Sequence, residues 1–216
     1  MMMDLKISQA FMLLALNDKG GVVSVGSMRI RAYVIASAVL ELALDNVISI
    51  SDEQVTVNQA LPAKQASLRA VYEAIKAADS LNFKQLAKKL VTDRGLFKAT
   101  FEAVGDTLVD LNVVTKENGG VLGNAVRFVG GDQAKQQIVE QIRAELLEEG
   151  AVTAETIAMT SLLAGSHTLK NYFSKFEEND LNTKLEELRQ DDANKDIFAL
   201  VDRLSRTITT IIASVG

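Results

Sequence analysis

Apolar residues fall at helical spacing along most of this chain. Phe83, Leu86, Ala87 and Leu90 repeat every three or four positions, and Asn82 before them suits an N-cap. Phe97, Phe101, Val104, Leu108 and Leu111 make a second stripe, and Leu68, Val71, Tyr72 and Ile75 a third. The longest is C-terminal: Ile197, Leu200, Val201, Leu204, Ile208, Ile211, Ile212 and Val215. Two segments are apolar on every side, Ile7 to Leu16 and Tyr33 to Leu44. A helix of that kind belongs at a core centre, so Tyr33 to Leu44 is the expected central helix, opening near Gly26-Ser27.

Asn17-Asp18-Lys19-Gly20-Gly21 is a turn, and Val22, Val23 and Val25 read as a brief extended piece. Period-two alternation marks Ile48-Ser49-Ile50 and Val55-Thr56-Val57 as one hairpin, and Val113–Thr115 with Val126–Val129 as a second. Gly119 to Asn124 is the loop of the second. Asp132 is the expected cap of a helix through Ile138, Ile142 and Leu146, ending before Gly150. Thr153 to Thr156 introduces the apolar run Ile157 to Ala164, and a polar helix follows around Leu181, Leu185 and Leu188. No fixed repeat appears. The pattern predicts a mainly α fold: one compact helical domain over residues 1–216, with small β-hairpins.

Composition sharpens this. The 216 residues include one proline, Pro62, which agrees with many helices on short connections. Cysteine is absent, which excludes disulfides and thiolate metal sites. The net charge of −5 supplies no global attraction to nucleic acid or anionic lipid, so such contacts need a local patch. Met1 to Lys6 shows no signal-peptide pattern, and Tyr33 to Leu44 is far shorter than the ~20 residues that span a bilayer. A cytoplasmic location is the expectation.

Little here resembles catalytic chemistry. His167 is the single histidine; Ser166 beside it points elsewhere on a helix, so the two are a poor nucleophile–base pair. Several His or Cys ligands are wanted for zinc, and no EF-hand spacing occurs. Gly119-Gly120-Val121-Leu122-Gly123-Asn124 lacks the lysine and hydroxyl of a phosphate loop and sits between strands. Glu41 lies in an apolar helix without a second acid or base, which favours a structural tie to an arginine or a helix-end donor over a functional acid. A non-enzymatic protein with no metal or cofactor is expected.

Phe83 to Val129 runs helix, turn, helix, hairpin, the order of a winged helix. Its second helix, Arg94 to Leu111, carries Arg94 and Lys98 but also Glu102, Asp106 and Asp110. Three acids oppose phosphate contact, so no duplex-DNA binding is expected. A winged-helix nucleic-acid or protein-binding module is the alternative reading of the chain.

Four stretches, in order, resemble the Golgi phosphoprotein 3 family, whose eukaryotic members read phosphatidylinositol-4-phosphate. They are Phe11 to Gly21, with its leucine-rich helix and Asp18-Lys19 turn; Val39-Leu40-Glu41-Leu42-Ala43-Leu44; Leu108 to Thr115; and Ala158 to Phe173. The resemblance implies a peripheral membrane adaptor that binds a phosphoinositide or another anionic phospholipid headgroup. The family's pocket uses a tryptophan, an arginine in the second helix and two basic residues before the third stretch. Gly26, Ile35, Lys98 and Phe101 stand at those positions, so the pocket is largely missing and the chain is a divergent member of prokaryotic type. The headgroup candidates are Lys98 together with Arg29, Arg31 and Arg94. Val121 and Leu122 are candidates for entering the membrane interface or for meeting a second copy through the 113–129 hairpin.

Overall fold

The computed structural model describes residues 5–21, 27–51, 54–78, 81–119, 125–148 and 150–215. The expected extended piece at Val22, Val23 and Val25, and Gly26, lie outside them.

Two helices form the middle of the fold. Helix α1 (Ile7–Ala15) and helix α2 (Ser27–Leu44) pack on one another, and every residue from Ala32 to Leu42 is buried. Helix α3 (Arg69–Lys76), preceded by a 3₁₀ segment at Ala63–Leu68, helix α4 (Phe83–Thr92) and helix α5 (Arg94–Asp110) cover one side. Helix α6 (Asp132–Leu146), helix α7 (Ala154–Ser166), helix α8 (Lys175–Leu188) and helix α9 (Lys195–Val215) close the rest, with α9 packed on α7, α2 and α4. One hydrophobic cluster runs from Ile7 to Ile208.

The hairpins fall where alternation placed them. Strand β1 (Ile48–Ile50) pairs antiparallel with strand β2 (Val55–Val57), Ser49 opposite Thr56. Strand β3 (Val114–Gly119) pairs with strand β4 (Ala125–Gly130), Lys116 opposite Phe128. The Asn17–Gly21 turn docks on β4: the Phe128 amide donates to the Gly20 carbonyl at 2.8 Å. Gly20 has φ +71°, and a Cβ there would fall 2.6 Å from the Phe128 carbonyl oxygen. Only glycine meets both demands.

The caps of α4 and α7 follow local sequence. The Asn82 side chain accepts from the Gln85 amide at 2.9 Å, closing the expected capping box of α4. Thr153 caps α7, and Glu145 of α6 accepts from the Thr153 amide and hydroxyl at 2.9 and 2.8 Å. Asp132, the expected cap of α6, is instead its first helical residue; Gly131 occupies the cap position with φ +83°. The hairpin delivers the chain to α6 through a left-handed turn, which glycine accepts and aspartate resists. Leu111 also departs from its stripe. Helix α5 ends at Asp110, the chain reverses at Asn112 (φ +58°), and Leu111 is left 47% exposed.

Candidate functional site

The first turns of α2 hold Arg29 and Arg31. Residues two apart on a helix face different ways, and these two diverge. The Arg31 guanidinium lies over the Phe97 ring, 5.9 Å from its centroid, and so reaches α5. Arg29 reaches α7 instead, donating to the Gly165 carbonyl at 3.2 Å. Tyr33, one turn further, packs against the same point: a Cβ on Gly165 would fall 2.2 Å from its hydroxyl oxygen. Burial pushes the Tyr33 phenol above its usual pKa, against the opposing pull of Ser205 and of the Arg29 charge. Arg29 therefore ties α2 to α7.

Lys98 and Arg94 lie on α5 near Phe97. Arg94 is exposed at the helix start, where Asp93 caps by accepting from the Leu96 amide. The Lys98 ammonium is 3.9 Å from Glu102, and its side chain remains 68% exposed. Arg31 thus reaches α5, the helix that carries Arg94 and Lys98 in its first turns, whereas Arg29 turns to α7. Ile35 and Phe101 are buried, at 2% and 6% exposure. Phe101 stacks on Phe97, ring centroids 5.7 Å apart, and meets Phe128 edge-on. Val121, Leu122 and Gly26 lie outside the described residues.

The other candidate chemistry resolves into structure. Glu41 is 6% exposed and accepts from the Ser8 amide at 3.0 Å and the Ser8 hydroxyl at 2.6 Å, a helix-end tie of the kind expected. Ser166 is buried and bonded to Leu163 and Thr168, while His167 is exposed in a left-handed C-cap (φ +62°). No nucleophile–base pair forms. Among the described residues no group of three His, Cys, Asp or Glu could hold a metal ion, and no helix is long and apolar enough to cross a membrane.

Composition and periodicity missed a basic cleft between α4 and α9. Lys84, Arg203 and Arg206 line it with Asn82, Phe83, Thr207 and Thr210, around a volume of about 520 Å³. Residues 84 and 206 are too far apart in sequence for any local signal to join them. Below it, Ile35, Ala36, Leu204 and Ile208 help to line an apolar crevice of only about 20 Å³, room for about one water-sized sphere.

The family model described as Golgi phosphoprotein 3 (GPP34) matches residues 7–203, most of the chain. Among curated proteins none matches.

Proposed function

From the premise that the chain belongs to the Golgi phosphoprotein 3 (GPP34) family, we propose that it is a non-enzymatic peripheral membrane adaptor. It docks on an anionic phospholipid headgroup, phosphatidylinositol-4-phosphate being the ligand the family suggests. The observation that carries this reading is the family match itself, which runs from α1 into α9.

The docking face of this reading lies where α2 meets α5, with Arg31 reaching over Phe97 and Arg94 and Lys98 on the first turns of α5. The net charge of −5 repels an anionic surface overall, so attachment needs this local cluster. Each basic residue near such a surface contributes about 1 kcal/mol, and burying an apolar side chain adds about 1.5–3 kcal/mol. Val121 and Leu122, entering the interface or joining a second copy, would supply that apolar part.

Sedimentation with phosphatidylcholine vesicles, with and without phosphatidylinositol-4-phosphate, tests the reading. The parent chain should pellet only with the doped vesicles. The combined reversal R31E, R94E and K98E should abolish pelleting while the helical circular dichroism stays unchanged; R29E is kept separate because Arg29 also ties α2 to α7. Equal pelleting of parent and variant, or none by the parent, sinks the proposal.

A further inference from the structure

We propose that the cleft between α4 and α9 is an anion site that takes a phosphomonoester. It goes beyond the adaptor reading and does not depend on it, since it shares no residue with the α2–α5 face.

Two cations carry the argument. Lys84 makes no hydrogen bond or ion pair with any other described residue. Arg206 is held by its Nε, which donates to the Asp202 carbonyl at 3.3 Å. That leaves its two terminal nitrogens for a ligand. The nearest acid on the same helix is already occupied, because the Asp202 carboxylate is paired with Arg189. The first turn of α4 carries no acid either. Among the described residues that line the cleft three are cations and none is an acid, on a protein whose net charge is −5.

The hydroxyls match the cations. Thr210 donates its proton to the Arg206 carbonyl at 2.9 Å, but the Thr207 side chain makes no hydrogen bond with any other described residue. An ammonium, the free edge of a guanidinium and one hydroxyl proton converge on one concave space. A phosphomonoester offers three strongly accepting oxygens and nearly two negative charges, which suits such a set better than a flat, singly charged carboxylate. Arg203, which donates to the Ile50 carbonyl at 2.7 Å, fixes the outer wall. Phe83, 6% exposed, separates the cleft from the apolar crevice. With about 520 Å³ available, the ligand can bear a sugar- or inositol-sized group behind its phosphate. That ligand could be a soluble phosphate ester or a lipid headgroup.

The experiment is an amide NMR titration of the full chain with inorganic phosphate, against chloride at matched ionic strength. The expected result is a saturable shift of the Phe83, Lys84, Thr207 and Thr210 amides. In K84Q/R206Q the affinity should fall by roughly tenfold or more, the loss that follows removal of a charge-assisted hydrogen bond. T207V should weaken it without altering charge. Both replaced cations are exposed, so an unchanged melting temperature is expected and would show that folding is not the cause. A second arm separates the sources. Phosphatidylcholine vesicles carrying phosphatidic acid, a phosphomonoester, are compared with vesicles carrying phosphatidylserine at equal charge. Preference for phosphatidic acid that K84Q/R206Q removes identifies a lipid. A local phosphate response without that preference identifies a soluble ester. Shifts scattered over all exposed lysines and arginines, or a response indifferent to K84Q/R206Q and T207V, would overturn the site.

Discussion

The Glu41 carboxylate holds Ser8 by two hydrogen bonds, at 3.0 Å from its amide and 2.6 Å from its hydroxyl, in the buried space between α2 and α1. The Ser8 amide lies in the first turn of α1, where it has no partner within the helix. Glu41 thus caps a neighbouring helix from the last turn of its own. Replacing it by alanine strands two buried donors. Hydrogen bonds to charged groups contribute about 1.5–3 kcal/mol, so Glu41→Ala should lower stability by at least that much. Urea unfolding measures it: the midpoint should drop with an unchanged slope. A neutral result would return Glu41 to the functional candidates.

Gly105 and Phe128 set how closely α5 lies on β4. A Cβ at Gly105 would fall 2.1 Å from the Phe128 ring, and that ring is fully buried. The ring cannot swing away freely, because Phe101 abuts it edge-on with centroids 5.3 Å apart. Gly105→Ala should therefore cost about 1–3 kcal/mol through overpacking. Adding Phe128→Leu should recover part of that loss, a non-additivity that a double-mutant cycle in urea would resolve.

Acid should loosen the joint between α6 and α8. The Arg143 guanidinium donates to Glu177 at 2.8 Å, and with the Ser174 bonds it lowers the Glu177 carboxyl to about 2. Burial pushes Glu145 upward, but hydrogen bonds from Thr153, Gln141 and Thr156 outweigh it and leave that carboxyl lowered too. A carboxyl lowered in the folded state contributes stability above its unfolded pKa and loses it as pH falls through the folded value. Stability should thus decline from about pH 4.5 towards 2. Thermal melts over that range should show a shallower pH slope for Glu177→Gln. High salt should blunt the difference, because the pair is at the surface.

His167 sits in the left-handed region, which costs an L-residue about 1–2 kcal/mol. Glycine relieves that strain but gives the unfolded chain more freedom. His167→Gly should therefore stabilise the fold modestly, by less than about 1 kcal/mol, visible as a small rise in melting temperature. A loss of stability would reveal a role for the imidazole.

Elements defined by local pattern were legible in the sequence. The β1–β2 hairpin, the Asn82 cap and the long stripe of α9 each depend on neighbours a few residues away, and each stands where periodicity put it. Features set by tertiary context were not. Asp132 has the chemistry of a cap, but the hairpin's exit forces a left-handed residue there and Gly131 takes the place. Leu111 continues a stripe whose helix has already ended. The 3₁₀ segments Ala63–Leu68 and Leu169–Asn171 have no periodic signature of their own. At the candidate sites the divergence of Arg29 and Arg31 follows from their spacing, whereas the meeting of Lys84 with Arg206 depends on α4 packing against α9.

The order α4, α5, β3, β4 is that of a winged helix, and the charge pairing on α5 and β3 argues against duplex DNA. Thr100, Phe101, Val104, Gly105 and Leu108 bury one side of α5 in the core. On its other positions Lys98 is paired with Glu102 at 3.9 Å, and Asp110 is exposed. The wing does not add charge, because Lys116 of β3 is held by Asp106 of α5 at 2.6 Å. These pairings hold two of the cations that could otherwise displace the counterions of a phosphate backbone. A gel-shift titration against random-sequence duplex should show no salt-sensitive complex. Replacing Glu102, Asp106 and Asp110 by their amides releases Lys98 and Lys116. That variant should gain weak binding that disappears as salt rises, with a log–log slope near the number of phosphates contacted. Tight binding by the parent chain would restore the nucleic-acid reading, and failure of the amide variant to bind at low salt would show that shape as well as charge excludes DNA.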